Sequence, residues 1–123
     1  MPRDEKRDPA YLWDMLDAAK AIMAFATNRT FHDYQKDRML RNAIERNMEI
    51  IGEAANRISE RFQKSHTEIP WGSIIGQRNI LIHEYGEIKD ERIWAVVTNR
   101  IPELIQFLEP LLPMNPITDD ERQ

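Results

Sequence analysis

The feature that most constrains this chain is an apolar stripe that recurs every three or four residues through one long stretch. From about Asp33 to Gln63, Leu40, Ile44, Met48, Ile51, Ala55, Ile58 and Phe62 keep that step, and Met39, Ala43, Ile50 and Ala54 widen the stripe to a second face. The period is that of an α-helix. A helix apolar over so much of its circumference needs more than one partner, so the rest of the chain must supply further helices or a second copy must.

It supplies helices. Asp8 to about Thr27 carries Leu12, Leu16, Ala19 and Met23 beside Tyr11, Met15, Ala18, Ile22 and Ala26, with Pro9 in the first turn, where proline is tolerated. "TNRTFHD" is a polar break. After the loop "KSHTEIP", Pro70 opens a third helix through Trp71, Ile74 and Ile75, which Gly86 is placed to cap. Asp90 is placed to cap a fourth, in which Trp94, Val97, Ile101, Leu104, Leu108 and Leu111 follow near-heptad spacing. Pro102 interrupts that pattern without shifting its phase, which predicts a kink and not an end. The expected fold is all-α, an antiparallel bundle of four to five helices, in one domain spanning residues 1–123 with flexible ends at 1–7 and 114–123. The near-heptad stripes suit packing against a second copy.

Composition removes several functional classes. With no cysteine there is no disulfide framework, thiolate metal site or thiol nucleophile. The start "MPRDEKRDPA" lacks the apolar core of a signal peptide, and no apolar run approaches the roughly 18 residues of a membrane span. A soluble, cytoplasmic protein is expected. Seventeen basic residues against 21 acidic ones give a net charge of −4, which argues against coating nucleic acid by bulk electrostatics and leaves a local basic site open.

The polar residues on the third helix raise the functional question. Arg78, Asn79, His83 and Tyr85 lie within eight residues of an otherwise apolar segment. Asn79 and His83, four apart, share a face. Arg78 and His83, five apart, differ by about 140° on a regular helix; they converge only if the arginine reaches round, the helix unwinds near Tyr85, or a second subunit supplies one of them. Each also has an ordinary reading: a histidine favoured by the helix dipole, a tyrosine packing its ring at a helix end, an arginine in a surface ion pair.

The string "RNILIHEY" carries an RxxxxHxY pattern, and together with "EIIGEAANRISE", "IPWGSIIGQRNILIHEYGEI" and "IWAVVTNRIPELIQFLEPLL" it resembles the HepT-like toxins of the HEPN group over almost the whole chain. The resemblance implies a homodimeric, metal-independent endoribonuclease, the toxin half of a type VII-like toxin–antitoxin pair. Its partner would be an MntA-like nucleotidyltransferase that transfers AMP from ATP to the motif tyrosine. On this reading Arg78 and His83 are catalytic, Tyr85 is modified and Asn79 supports them. The toxin itself needs no cofactor, ATP and magnesium belonging to the antitoxin. Those residue types suit the reaction: imidazole moves protons near neutral pH, and guanidinium grips phosphate oxygens where charge grows. One histidine per chain cannot easily be base and acid at once, which gives a dimer a mechanistic purpose.

On the second helix, Arg46, Glu49, Glu53 and Arg57 form a row that is either a solvated ion-pair face or, through Arg46 and Glu53, part of the cleft beside His83. Asn47 falls in an apolar row and should be hydrogen-bonded. His32 and His66 have no ligand-like spacing, and Trp13, Trp71 and Trp94 are expected to anchor the core. The competing functional reading is a non-catalytic helical module that binds a nucleotidyltransferase, which the acidic balance favours; the intact Arg78 and His83 favour the enzyme.

Overall fold

The computed structural model of the chain describes residues 5–112, and every regular element among them is helical. A 3-10 turn (Glu5–Arg7) leads into α1 (Asp8–Ala26). There follow α2 (Phe31–Lys36), α3 (Arg38–Arg57), α4 (Glu60–Ser65), α5 (Trp71–His83) and α6 (Gly86–Ala95); a π-helical turn (Val96–Arg100) then runs into α7 (Ile101–Leu108) and a closing 3-10 turn (Glu109–Leu111). The all-α bundle is as expected. Of the ends expected to be flexible, Glu5–Arg7 form the 3-10 turn, and residues 1–4 and 113–123 lie outside the described part.

The core is the set of stripes read from the sequence. Leu12, Met15, Leu16, Ala19 and Ile22 of α1 meet Ile44, Met48, Ile51 and Ala55 of α3, and Ile101, Leu104 and Leu108 of α7 close over α1. One polar tie is buried with them. The Asp8 carboxylate, 5 % exposed, accepts from the Ser59 N–H at 2.9 Å and from the Ser59 hydroxyl at 2.6 Å. Ser59 Oγ in turn accepts from the Phe62 N–H at 3.2 Å as the cap of α4. The start of α1 and the start of α4 are thus locked together.

Three expected boundaries change. The single helix expected from Asp33 to Gln63 is three helices, because polar side chains offer helix starts inside the apolar period. Thr30 begins α2 with a reciprocal box, the Asp33 N–H donating to Thr30 Oγ1 at 3.1 Å and the Thr30 N–H to the Asp33 carboxylate at 2.9 Å. Asp37 turns extended and accepts from the Leu40 N–H at 3.1 Å, and Ile58 turns extended just before the Ser59 cap. The stripe survives both breaks, since Leu40 and Ile58 stay buried.

Gly86 does not cap α5. That helix stops at His83; Glu84 and Tyr85 are extended, and Gly86, at φ +67°, makes the reversal that begins α6. A left-handed φ is open to glycine and strained for most other residues. Asp90 consequently lies inside α6 instead of capping it. The kink expected at Pro102 is a π-helical turn just before it, in which the Ile101 N–H donates to the Val96 carbonyl. Widening the helix there accommodates the proline ring and its missing donor while the stripe stays in phase.

Candidate functional site

α5 is held by its first half. Trp71 is buried and its Nε1–H donates to the His66 carbonyl at 3.0 Å, Phe62 meets its ring edge-on at 6.2 Å, and Ile74 is 4 % exposed. Gly52 of α3 lies beside it, the place of a Cβ there being 3.7 Å from the Ile74 carbonyl oxygen, an ordinary contact distance. Trp71 is therefore a core anchor, as expected; Trp94 is half-buried against Tyr34, with ring centroids 5.3 Å apart, and Trp13 is half-buried against the core.

Arg78 stands four residues after Ile74 and seven after Trp71, in line with the face α5 turns to the core. It is nevertheless exposed, because past Ile74 a groove of ≈ 400 Å³ opens between α3 and α5. Glu49, Gly52 and Glu53 line one wall, and Arg78, Leu81 and Ile82 the other. Glu53 and Arg78 thus share one groove, with no ion pair between them. Arg46 is not part of the lining; it pairs instead with Glu49 at 3.1 Å, both side chains about half exposed. His83 and Asn79 are exposed and lie outside the groove. α5 is a regular helix up to His83, so the roughly 140° between Arg78 and His83 remains, and one chain does not turn them to a common face.

The bend after His83 is pinned on both sides. Glu84 pairs with Arg92 at 3.3 Å, and Lys89 pairs with Glu45 of α3 at 2.7 Å, where both side chains are about four-fifths buried. Between these anchors Tyr85 is extended and 82 % exposed. A tyrosine packed at a helix end is not what the structure has. Nor is Arg78 in a surface ion pair: among the described residues, Arg78, Asn79, His83 and Tyr85 have no hydrogen-bonding or ionic partner for their side chains. Four polar groups stand at one end of a helix with their valences unspent on the fold.

The remaining candidates are structural. Asn47 is half-buried and donates to the Ala43 carbonyl at 2.8 Å. His66 stacks on Phe62 at 4.1 Å with Nδ1 beside the Phe62 carbonyl. No group of three or more histidine or carboxylate side chains among the described residues is arranged to hold a metal ion. Two features escaped the sequence reading. Ile82 and Ile88, which flank Tyr85, are 57 % and 60 % exposed, an apolar rim that periodicity alone assigns to neither core nor surface. Gln77, the neighbour of Arg78 and about 100° round the helix from it, is buried beside a second groove.

The family model of the HepT-like ribonucleases matches residues 15–111, which takes in α5, the bend and all of the core but Leu12 and Leu112. The chain belongs to the HepT-like ribonuclease family. It is 36 % identical over 101 residues to the "Probable ribonuclease HepT" of Thermococcus cleftensis, covering 82 % of this chain and 92 % of that one. It is 35 % identical over 112 residues to "Putative RNase MJ0127" of Methanocaldococcus jannaschii, covering 91 % of each, and 34 % identical over 105 residues to "Putative RNase MJ1380" of the same organism, covering 85 % and 96 %. No solved structure matches the chain significantly. Family membership makes ribonuclease the class of activity, with RNA as the substrate class. No helix among the described residues is long and apolar enough to cross a membrane.

Proposed function

We propose that this chain is an endoribonuclease toxin that cleaves RNA by internal attack of the ribose 2′-hydroxyl, without a metal, at a site built from Arg78 and His83 of two copies. The observation that carries the proposal is that Arg78 and His83 are exposed on one helix, without side-chain partners among the described residues, inside a ribonuclease family match. His83 takes the 2′-hydroxyl proton as the oxygen attacks phosphorus. The bond from phosphorus to the 5′ oxygen breaks, and that oxygen is protonated by an imidazolium, which the second copy's histidine supplies. Arg78 holds the non-bridging oxygens as they gain charge, with Asn79 in support on the His83 face. Glu53, across the groove, is in position to orient the guanidinium; Arg46 remains engaged with Glu49.

A second copy is what unites the parts. The exposed Ile82, Tyr85 and Ile88 rim and Met39, 81 % exposed on α3, are apolar surface that a partner copy would cover. The regulation follows from Tyr85. A nucleotidyltransferase antitoxin would break the bond between the α- and β-phosphates of ATP, join AMP to the phenol oxygen and release pyrophosphate, the phenol proton going to solvent. The attached phosphodiester would meet Arg78, and the adenosine would occupy the RNA cleft. The test is purified protein on total RNA. Arg78→Ala and His83→Ala, folded by circular dichroism, should each lose cleavage and growth inhibition; full activity in either folded variant removes that residue from the mechanism.

A further inference from the structure

The face of α5 that carries His83 is not blank. Gly76, Ile80 and His83 follow at four and three residues, so they lie on one side of the helix. Along that side runs an open groove of ≈ 310 Å³ between α5 and the π-helical turn, lined by Ser73, Gly76, Gln77, Ile80, Val96 and Arg100. It is a different groove from the one that holds Arg78 and Glu53. A Cβ at Gly76 would meet nothing within 4 Å, so the groove is unfilled at its middle.

Gln77 makes it more than a gap. The residue is 9 % exposed, and among the described residues its side-chain amide has no hydrogen-bond partner. Its amide atoms nevertheless keep access to solvent, the fully buried unpaired side-chain polar atoms among the described residues being Trp13 Nε1 and Tyr34 Oη, so the amide's hydrogen-bonding capacity is open to a ligand. It lines the groove and also the small cavity beneath it, together with Ser73 and Arg100. An amide offers two donors and an acceptor, the set that pairs with a base edge or a ribose hydroxyl. Arg100 stands at the end of the π-helical turn with Glu103 as its ion-pair partner, 3.9 Å away and with both side chains about half exposed. So loose a pair contributes little and yields readily to a phosphate. Ile80 and Val96 are half-buried apolar walls between the two polar ends. π-turns occur frequently at functional sites, and this one places a cation on the groove.

We infer that this groove is a subsite for single-stranded RNA, taking a nucleotide beside the one cleaved: the Gln77 amide pairs with its base edge or 2′-hydroxyl, Ile80 and Val96 flank the base, and Arg100 holds its phosphate. Six residues separate Gln77 from His83, about 9 Å along the helix axis, which a strand leaving the catalytic imidazole crosses at once. The inference rests on the ribonuclease reading, and it gives a net acidic protein a local grip on a polyanion without a broad basic surface.

The test measures binding of a fluorescent single-stranded oligoribonucleotide to full-length His83→Ala protein, which holds RNA without cutting it. Adding Gln77→Met should weaken the Kd about tenfold and leave the Tm unmoved, because it keeps the side chain's length and removes only an amide that bonds nothing among the described residues; a residue important only to the fold would lower the Tm. Adding Arg100→Gln should weaken binding and lower the slope of log K against log salt by ~0.7. Lys20→Gln, which removes an equal charge from an exposed site beside Glu109, should leave the Kd unmoved. The inference is overturned if the parent binds no RNA or if Gln77→Met and Arg100→Gln leave its Kd unchanged. It is equally overturned if they weaken only self-association in sedimentation, since the groove is then an interface between copies. Cleavage by the wild type with an unmoved Kd sinks the subsite alone; a weakened Kd without wild-type cleavage sinks the ribonuclease reading alone.

Discussion

Tyr85 is the residue on whose exposure the proposed regulation rests. With its ring 82 % exposed beside Gly86, it contributes little to the core, and its hydroxyl can be reached by another enzyme. Tyr85→Phe should therefore fold normally, retain substantial ribonuclease activity and escape silencing when antitoxin and ATP are added. The wild type should gain mass in whole AMP units and lose activity. AMP found on another residue of the silenced Phe variant, read by peptide mass spectrometry, would return Tyr85 to an ordinary surface role. Tyr34 makes the opposite case. It is fully buried against Trp94, and its hydroxyl has no hydrogen-bond partner among the described residues. Burial also pushes that phenol's ionisation well above its ordinary value of 10.0, with the Glu45 and Asp90 carboxylates adding to the shift. Tyr34→Phe removes an unpaired polar atom and keeps the ring, so urea denaturation should show stability unchanged or raised by about 1 kcal/mol. A loss of that size would mean that the hydroxyl has a partner on which the fold depends.

Between elements, the junction of α2, α3 and α6 is the place where charge enters the fold. Asp90 of α6 is half-buried near Arg41, Glu45, Lys89 and Glu87, and burial raises its carboxyl above the ordinary 3.8, with the Arg41 guanidinium opposing. Above 3.8 the unfolded chain has given up this proton while the folded chain still holds it, so stability falls as pH rises through the interval up to the folded value. Asp33 runs the other way. The Thr30 backbone N–H lowers its carboxyl, so its contribution is present above 3.8 and lost as pH falls. Asp90→Asn should abolish the first effect alone: its Tm should exceed the wild type's by more at neutral pH than at about pH 3.5. An equal difference at both would place Asp90 outside the linkage. These elements also show what was legible beforehand. The stripes from Leu12 to Leu108 located the core because burial follows apolar period, whatever the helix breaks. The breaks at Asp37 and Ile58 were hidden because both fall inside an unbroken period and depend on single side chains capping N–H groups. Gly86 was read as an end because glycine at positive φ serves equally where one helix stops and the next begins. In the site, the motif placed the polar residues on α5, but only packing shows that Arg78 enters a groove, that Arg46 turns to Glu49 and that the Gln77 side chain is largely covered at the edge of a second groove.

The proposed catalytic site requires two copies of the chain. In one chain, Arg78 faces the α3 groove and His83 does not, and the apolar surface at Ile82, Tyr85, Ile88 and Met39 has no cover among the described residues. Sedimentation should find a dimer at micromolar concentration. Ile88→Glu, at a position already 60 % exposed and outside the groove that holds Arg78, should give a folded monomer whose own stability moves by no more than about 0.5 kcal/mol and whose cleavage is lost with the dimer. A fully active monomer would separate catalysis from assembly. The most direct measurement is the end-group chemistry of RNA cleaved by the purified wild-type protein in excess chelator, beside folded His83→Ala. Attack by the 2′-hydroxyl predicts fragments ending in a 2′,3′-cyclic phosphate, undiminished by chelator and absent with His83→Ala. Cleavage that chelator abolishes, or that folded His83→Ala performs as well as the wild type, would contradict the account.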